Sequence, residues 1–105
     1  MKERKVTIRG KEYTMRHCIR ARIICESILK RMWSLSTLTD QYTYMYSCIL
    51  ASGDKMDYDD FLDAMEENPA PMNVFQQFMK EVLEAEYQLT KKDNPEDPDA
   101  KAEKN

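Results

Sequence analysis

Glycine is scarce in this chain: Gly10 and Gly53 are the only two in 105 residues. Loops that cradle phosphates or dinucleotides need several glycines in a short run, so neither type is expected. Histidine occurs once, as His17. It stands beside Cys18, and adjacent residues on a helix do not face each other. The residue is expected at a helix start, partly exposed and outside any nucleophile–base pair. The three cysteines, Cys18, Cys25 and Cys48, contain no C-x₂₋₄-C pair. That spacing argues against structural zinc, and reduced, buried thiols are expected instead. No apolar run approaches the about 20 residues that cross a bilayer. The charged start Met-Lys-Glu-Arg-Lys is not followed by an apolar stretch of the signal-peptide kind. The expectation is a cytoplasmic protein with no membrane contact and no cofactor.

Charge is plentiful but unevenly placed. Up to Trp33 there are ten basic residues against Glu3, Glu12 and Glu26. The net charge of −3 therefore divides into +7 for the front third and −10 for the rest. A basic front suits nucleic acid, through Arg16, Arg20 and Arg31 on a helix with Lys5, Arg9 and Lys11 before it. It equally suits the acidic back of the same fold, or of a neighbouring copy. The second idea is favoured because the acidic counterpart lies in the same chain.

Patterning predicts a mainly α fold: an N-terminal β-hairpin packed on a bundle of about four helices, in one domain spanning 1–90. The hairpin covers about 5–16. Gly10-Lys11 suits a two-residue type II′ turn, pairing Arg9 with Glu12 and Ile8 with Tyr13. Val6, Ile8, Tyr13 and Met15 then share the apolar face. From His17 to about Trp33 the residues Cys18, Ala21, Cys25, Ile28, Leu29 and Met32 recur at helical spacing, and Ile24 widens the stripe. Ile19 and Ile23 fall on the other side, either covered by the hairpin or open to a partner. A second helix, capped at Ser36, Thr37 or Thr39, ends before Gly53 and is apolar around much of its circumference, so it is expected at the centre.

Asp57 is expected to cap a short third helix that buries Phe61, Leu62 and Met65. Together with Asp54, Asp59 and Asp60 it lacks the ligand alternation and central glycine of a calcium loop. Asn68-Pro69-Ala70-Pro71 ends that helix. Asn73 with Gln76 suggests a capping box for the last one, whose inward stripe reads Phe75, Phe78, Met79, Val82, Leu83 and Leu89. The segment 91–105 holds two prolines, many charges and nothing apolar larger than alanine, which predicts a disordered tail. Tyr42, Tyr44 and Tyr46 cannot all point the same way from one helix. Tyr44 is therefore expected near a surface, where tyrosine makes a good interface anchor.

The order of these features resembles a known family. Val6-Thr-Ile-Arg-Gly-Lys-Glu-Tyr13 leads into a helix with Ala21 and Glu26. A central helix, an acidic step, a short helix, Asn68-Pro69 and a last amphipathic helix follow. Over roughly residues 5–88 this layout resembles the small tail assembly chaperones of long-tailed phages and prophages. The resemblance implies a non-enzymatic protein in the bacterial host cytoplasm that binds tape-measure protein and tail-tube subunits. It also implies a homo-oligomer, and the charge split fits head-to-tail association with basic front meeting acidic back. The partner-binding residues expected on this reading are Ile19, Ile23 and Tyr44. The alternatives are a nucleic-acid-binding or regulatory adaptor protein that uses the basic front third.

Overall fold

The structure, a computed structural model, describes residues 2–93, with side chains to residue 89. Two antiparallel strands come first, β1 (Glu3–Ile8) and β2 (Lys11–Arg16). Four helices follow: α1 (Ile19–Leu29), α2 (Leu38–Ala51), α3 (Tyr58–Glu67) and α4 (Ala70–Asp93). The fold is thus mainly helical with an N-terminal hairpin, as the pattern predicts. The tail expected over 91–105 falls outside the described residues, except that 91–93 continue α4.

The hairpin buries the expected face, with Val6, Ile8, Tyr13 and Met15 all in the core. Its turn differs from expectation. Val6 pairs with Tyr13 and Ile8 with Lys11, so Arg9-Gly10 forms the loop. Both loop residues have positive φ, 53° and 77°, which defines a type I′ turn. Moving the loop by one residue shifts each pairing by two, and a shift of two keeps every side chain on its face. Arginine tolerates the left-handed region poorly. Here its guanidinium is tied to α3 by two hydrogen bonds to Glu67, at 3.1 and 2.8 Å.

Helix α1 is shorter than the spacing predicts. It stops at Leu29 because Lys30 turns left-handed (φ 61°), its N–H bonding Glu26 O at 2.7 Å. Glu26 also accepts the Trp33 N–H at 2.7 Å, which fixes the exit of the chain. Met32 consequently leaves the stripe and is 80 % exposed. Glycine at Lys30 would remove the Cβ strain of this conformation. Lys30→Gly is expected to raise stability by up to about 1 kcal/mol, which a small domain shows as a melting point higher by about 4–8 °C. A lower melting point would refute this account of the helix end.

Helix α2 is the centre. Thr37 caps it by accepting the Asp40 N–H at 3.1 Å. Every residue from Thr43 to Ile49 is buried. The helix is enclosed by α1 and β2 on one side and by α3 and α4 on the other. Asp57 caps α3, accepting from the N–H groups of Asp59 and Asp60 at 3.1 and 3.3 Å. Helix α4 begins three residues before the expected cap at Asn73. Asn68 supplies the capping oxygen, accepting the Ala70 N–H at 3.1 Å, and proline is tolerated in a first turn. Phe75, Phe78, Met79 and Val82 are buried as expected. Leu83 and Leu89 are not, being 37 % and 61 % exposed: Leu83 lies to one side of the stripe, and the stripe at Leu89 is left uncovered.

Candidate functional site

The two isoleucines singled out from the sequence lie on the outward side of α1. Ala21 and Cys25 fix the inward side, both fully buried. At about 100° per residue, positions 19 and 23 then fall nearly opposite. Ile19 is 74 % exposed and Ile23 59 %. The hairpin does not cover them. Arg20 and Lys30 flank this apolar pair, and their side chains form no hydrogen bond or ion pair among the described residues. Two large β-branched side chains one turn apart, rimmed by free cations, make a contact strip rather than a reaction centre.

Tyr44 is not part of that strip; it is fully buried. The expectation failed because α2 is enclosed all round from Thr43 to Ile49, beyond its exposed first turn. Residues two apart on a helix point about 200° apart, and each direction meets a different cluster. Tyr44 packs edge-on against Trp33 and Phe75, with centroids 5.1 and 6.3 Å away. Tyr46 packs against Tyr58 and Phe61 of α3 at 4.7 and 5.5 Å, and its hydroxyl donates to Met56 O at 2.6 Å.

His17 is likewise buried rather than partly exposed. Its Nδ1 lies 2.8 Å from the Tyr44 hydroxyl and its Nε2 3.1 Å from Glu86 Oε2. With Nε2–H donating to the carboxylate, Nδ1 accepts from the tyrosine. Arg22 Nη2 stands 3.3 Å from Nε2, and both Arg22 and Lys2 approach Glu86 at 3.7 Å. The Arg22 guanidinium also lies over the Trp33 ring, 4.7 Å from its centroid. Burial lowers the His17 pKa, while the Glu86 charge works in the opposite sense. Burial raises the Tyr44 hydroxyl. Lys2, just before β1, and residues from α1, α2 and α4 thus meet around one imidazole. Only folding brings them together, so no local motif announces the cluster.

The cysteines are structural in character. Cys25 and Cys48 are buried and Cys18 half-buried. Burial pushes the Cys25 thiol up to about 11 and raises Cys48 as well, which leaves them protonated and unreactive near neutral pH. Among the described residues, no group of three or more His, Cys, Asp or Glu side chains is placed to hold a metal ion. No described helix is long and apolar enough to cross a membrane.

The basic front closes onto the acidic back of its own chain. Lys2 meets Glu86, Arg4 meets Glu81, Arg9 meets Glu67, Arg22 meets Glu86 and Arg31 meets Asp40. Lys5 and Arg16 pair within the hairpin, with Glu12 and Glu3. Of the front cations, Lys11, Arg20 and Lys30 form no ion pair among the described residues.

Protein-family models, curated proteins and solved structures give no match to this chain. The functional reading therefore rests on the contact strip and the layout of the fold.

Proposed function

We propose that this chain is a non-enzymatic protein-binding domain that presents the outward face of α1 to its partner. The observation that carries this reading is the exposure of Ile19 and Ile23 on a helix whose other side buries Ala21 and Cys25. Exposed apolar pairs of this kind gain free energy when another protein covers them. The groups most able to do chemistry support the same reading. His17 is held inside a structural cluster, and the buried thiols are kept protonated.

The order of hairpin, central helix, acidic step and last amphipathic helix points to a phage tail assembly chaperone acting in the bacterial cytoplasm. On this reading the partners are tape-measure protein and tail-tube subunits, and copies of the chain also associate. Contacts between copies would draw on α1 more than on opposite charge, because most front cations already have intramolecular partners. The same pairing weakens the second reading, nucleic-acid binding. Filter binding at low salt is expected to retain no nucleic acid.

The test is co-expression with the tape-measure protein encoded in the same genome, followed by size-exclusion chromatography. The chain is expected to co-elute. The double variant Ile19→Glu/Ile23→Glu is expected to melt within a few degrees of the parent, as surface changes do. It is expected to lose at least about tenfold in affinity for its partner. Co-elution of the variant at undiminished affinity would remove α1 as the binding face.

A further inference from the structure

We infer that the groove between α2 and α3 receives the outward face of α1 from a second copy of the chain, so that copies join head to tail. The inference rests on α1 being the contact face, and it names what that face meets.

The groove is open, with a volume of about 490 Å³. Tyr42 of α2 stands on one side of it and Leu62 and Met65 of α3 on the other, with Glu66 and Pro69 completing the lining. Leu38, one turn before Tyr42, is exposed and continues the apolar surface along α2. A small-molecule site would bring several polar groups to one point. Here Glu66 is the single charged residue in the lining among the described residues, so the groove suits apolar side chains.

Charge narrows the choice of occupant. Helix α3 carries five acidic residues and no basic one. Glu67 is held by Arg9, and Asp60 and Asp63 also act on that guanidinium. Asp59 and Glu66 form no ion pair among the described residues. They stand three residues before and four after Leu62, so both carboxylates share its side of α3 and rim the groove. The strip on α1 is the converse surface. Ile19 and Ile23 are exposed, and Arg20 and Lys30 beside them form no ion pair. The acid of that helix, Glu26, is turned to the Trp33 N–H. Along their helices the two carboxylates are about 10 Å apart and the two cations about 15 Å, a difference that long, flexible side chains take up.

The strip of one chain cannot reach its own groove. It points away from Ala21 and Cys25, the side on which α1 packs against α2, whereas α2 itself lines the groove. The contact therefore joins different surfaces of two copies and repeats from copy to copy. Covering the isoleucines supplies most of the affinity, and the charges set the register. The contact is small, so association is weak and shows at high protein concentration.

The test is sedimentation equilibrium of the full chain from micromolar to millimolar concentration. The average mass is expected to rise with concentration and to fall back in high salt. Asp59→Lys/Glu66→Lys alters the groove and Ile19→Asn/Ile23→Asn the strip; all four positions are exposed, so the fold should persist. Each variant alone should associate at least about tenfold more weakly. Their equimolar mixture should recover association but level off at the mass of a dimer, because one sound strip and one sound groove remain. Asparagine is neutral, so the mixture gains no new charge pair. A parent that stays monomeric at millimolar concentration, or a mixture that stays monomeric, would overturn the inference and leave α1 as a face for a different protein. So would a groove variant that associates like the parent while the strip variant does not. A strip variant that associates like the parent would overturn the inference and count against α1 as well.

Discussion

Alanine at Tyr44 is expected to remove a large share of the stability of the domain. Removing a fully buried aromatic ring costs about 3–5 kcal/mol, through lost transfer energy and the cavity left behind. A domain of this size has a total stability on the order of 5–13 kcal/mol. The ring also connects elements distant in sequence, since it touches His17, Trp33 and Phe75. Tyr44→Phe separates the two contributions: it keeps the ring and removes the hydroxyl that bonds His17 at 2.8 Å. Its cost should be nearer about 1–2 kcal/mol, mainly from leaving Nδ1 without a partner. Urea denaturation of the three proteins measures both. An alanine variant with a midpoint close to the parent would contradict the enclosed α2.

Stability is expected to fall as pH drops through the mid-acid range, and His17 should account for much of the loss. Its folded pKa lies below the ordinary value of 6.5, chiefly because burial disfavours the charged ring. Between the folded and unfolded pKa values the unfolded chain binds more protons, so stability rises with pH there. The contribution is fully present above pH 6.5 and is lost as pH falls from 6.5 towards the folded pKa. Each unit of separation is worth about 1.4 kcal/mol. Glu86 opposes the shift by favouring the imidazolium, whereas Arg22 and Lys2 reinforce it. Glu86→Gln should therefore steepen the acid loss, and His17→Gln should flatten it. Thermal melts from pH 7.5 to 5 show the difference directly. A His17→Gln variant with the same pH profile as the parent would remove the imidazole from the account.

Much of the architecture was legible because it depends on short-range patterns. The period-two alternation around Gly10 identified the buried face of the hairpin. The turn was less determined, because a glycine can serve as either central residue of a two-residue loop. The contact of Arg9 with Glu67, far along the chain, accompanies the choice. Asp57 was readable as a cap, and Thr37 as one of three candidates, because a cap is a local matter of one side chain and the next turn. The end of α1 was not, since Lys30 adopts a conformation more typical of glycine. The contact strip was half legible: Ile19 and Ile23 break the inward pattern, and the structure leaves them exposed. Tyr44 and His17 were misplaced because their surroundings come from three helices and the segment before β1, with Glu86 69 residues from His17.

One arrangement bears on how the chain is made. Strand β1 lies along α4, joined to it by Lys2–Glu86 and Arg4–Glu81, with Arg9 reaching Glu67 just before that helix. A lone hairpin is marginal in water, so β1 and β2 have little to hold them until α2 and α4 have been synthesised. On the ribosome β1 must wait for α4. Its basic strand stays uncovered during that interval, and a nascent chain halted before α4 would be a natural client for holding factors and proteases.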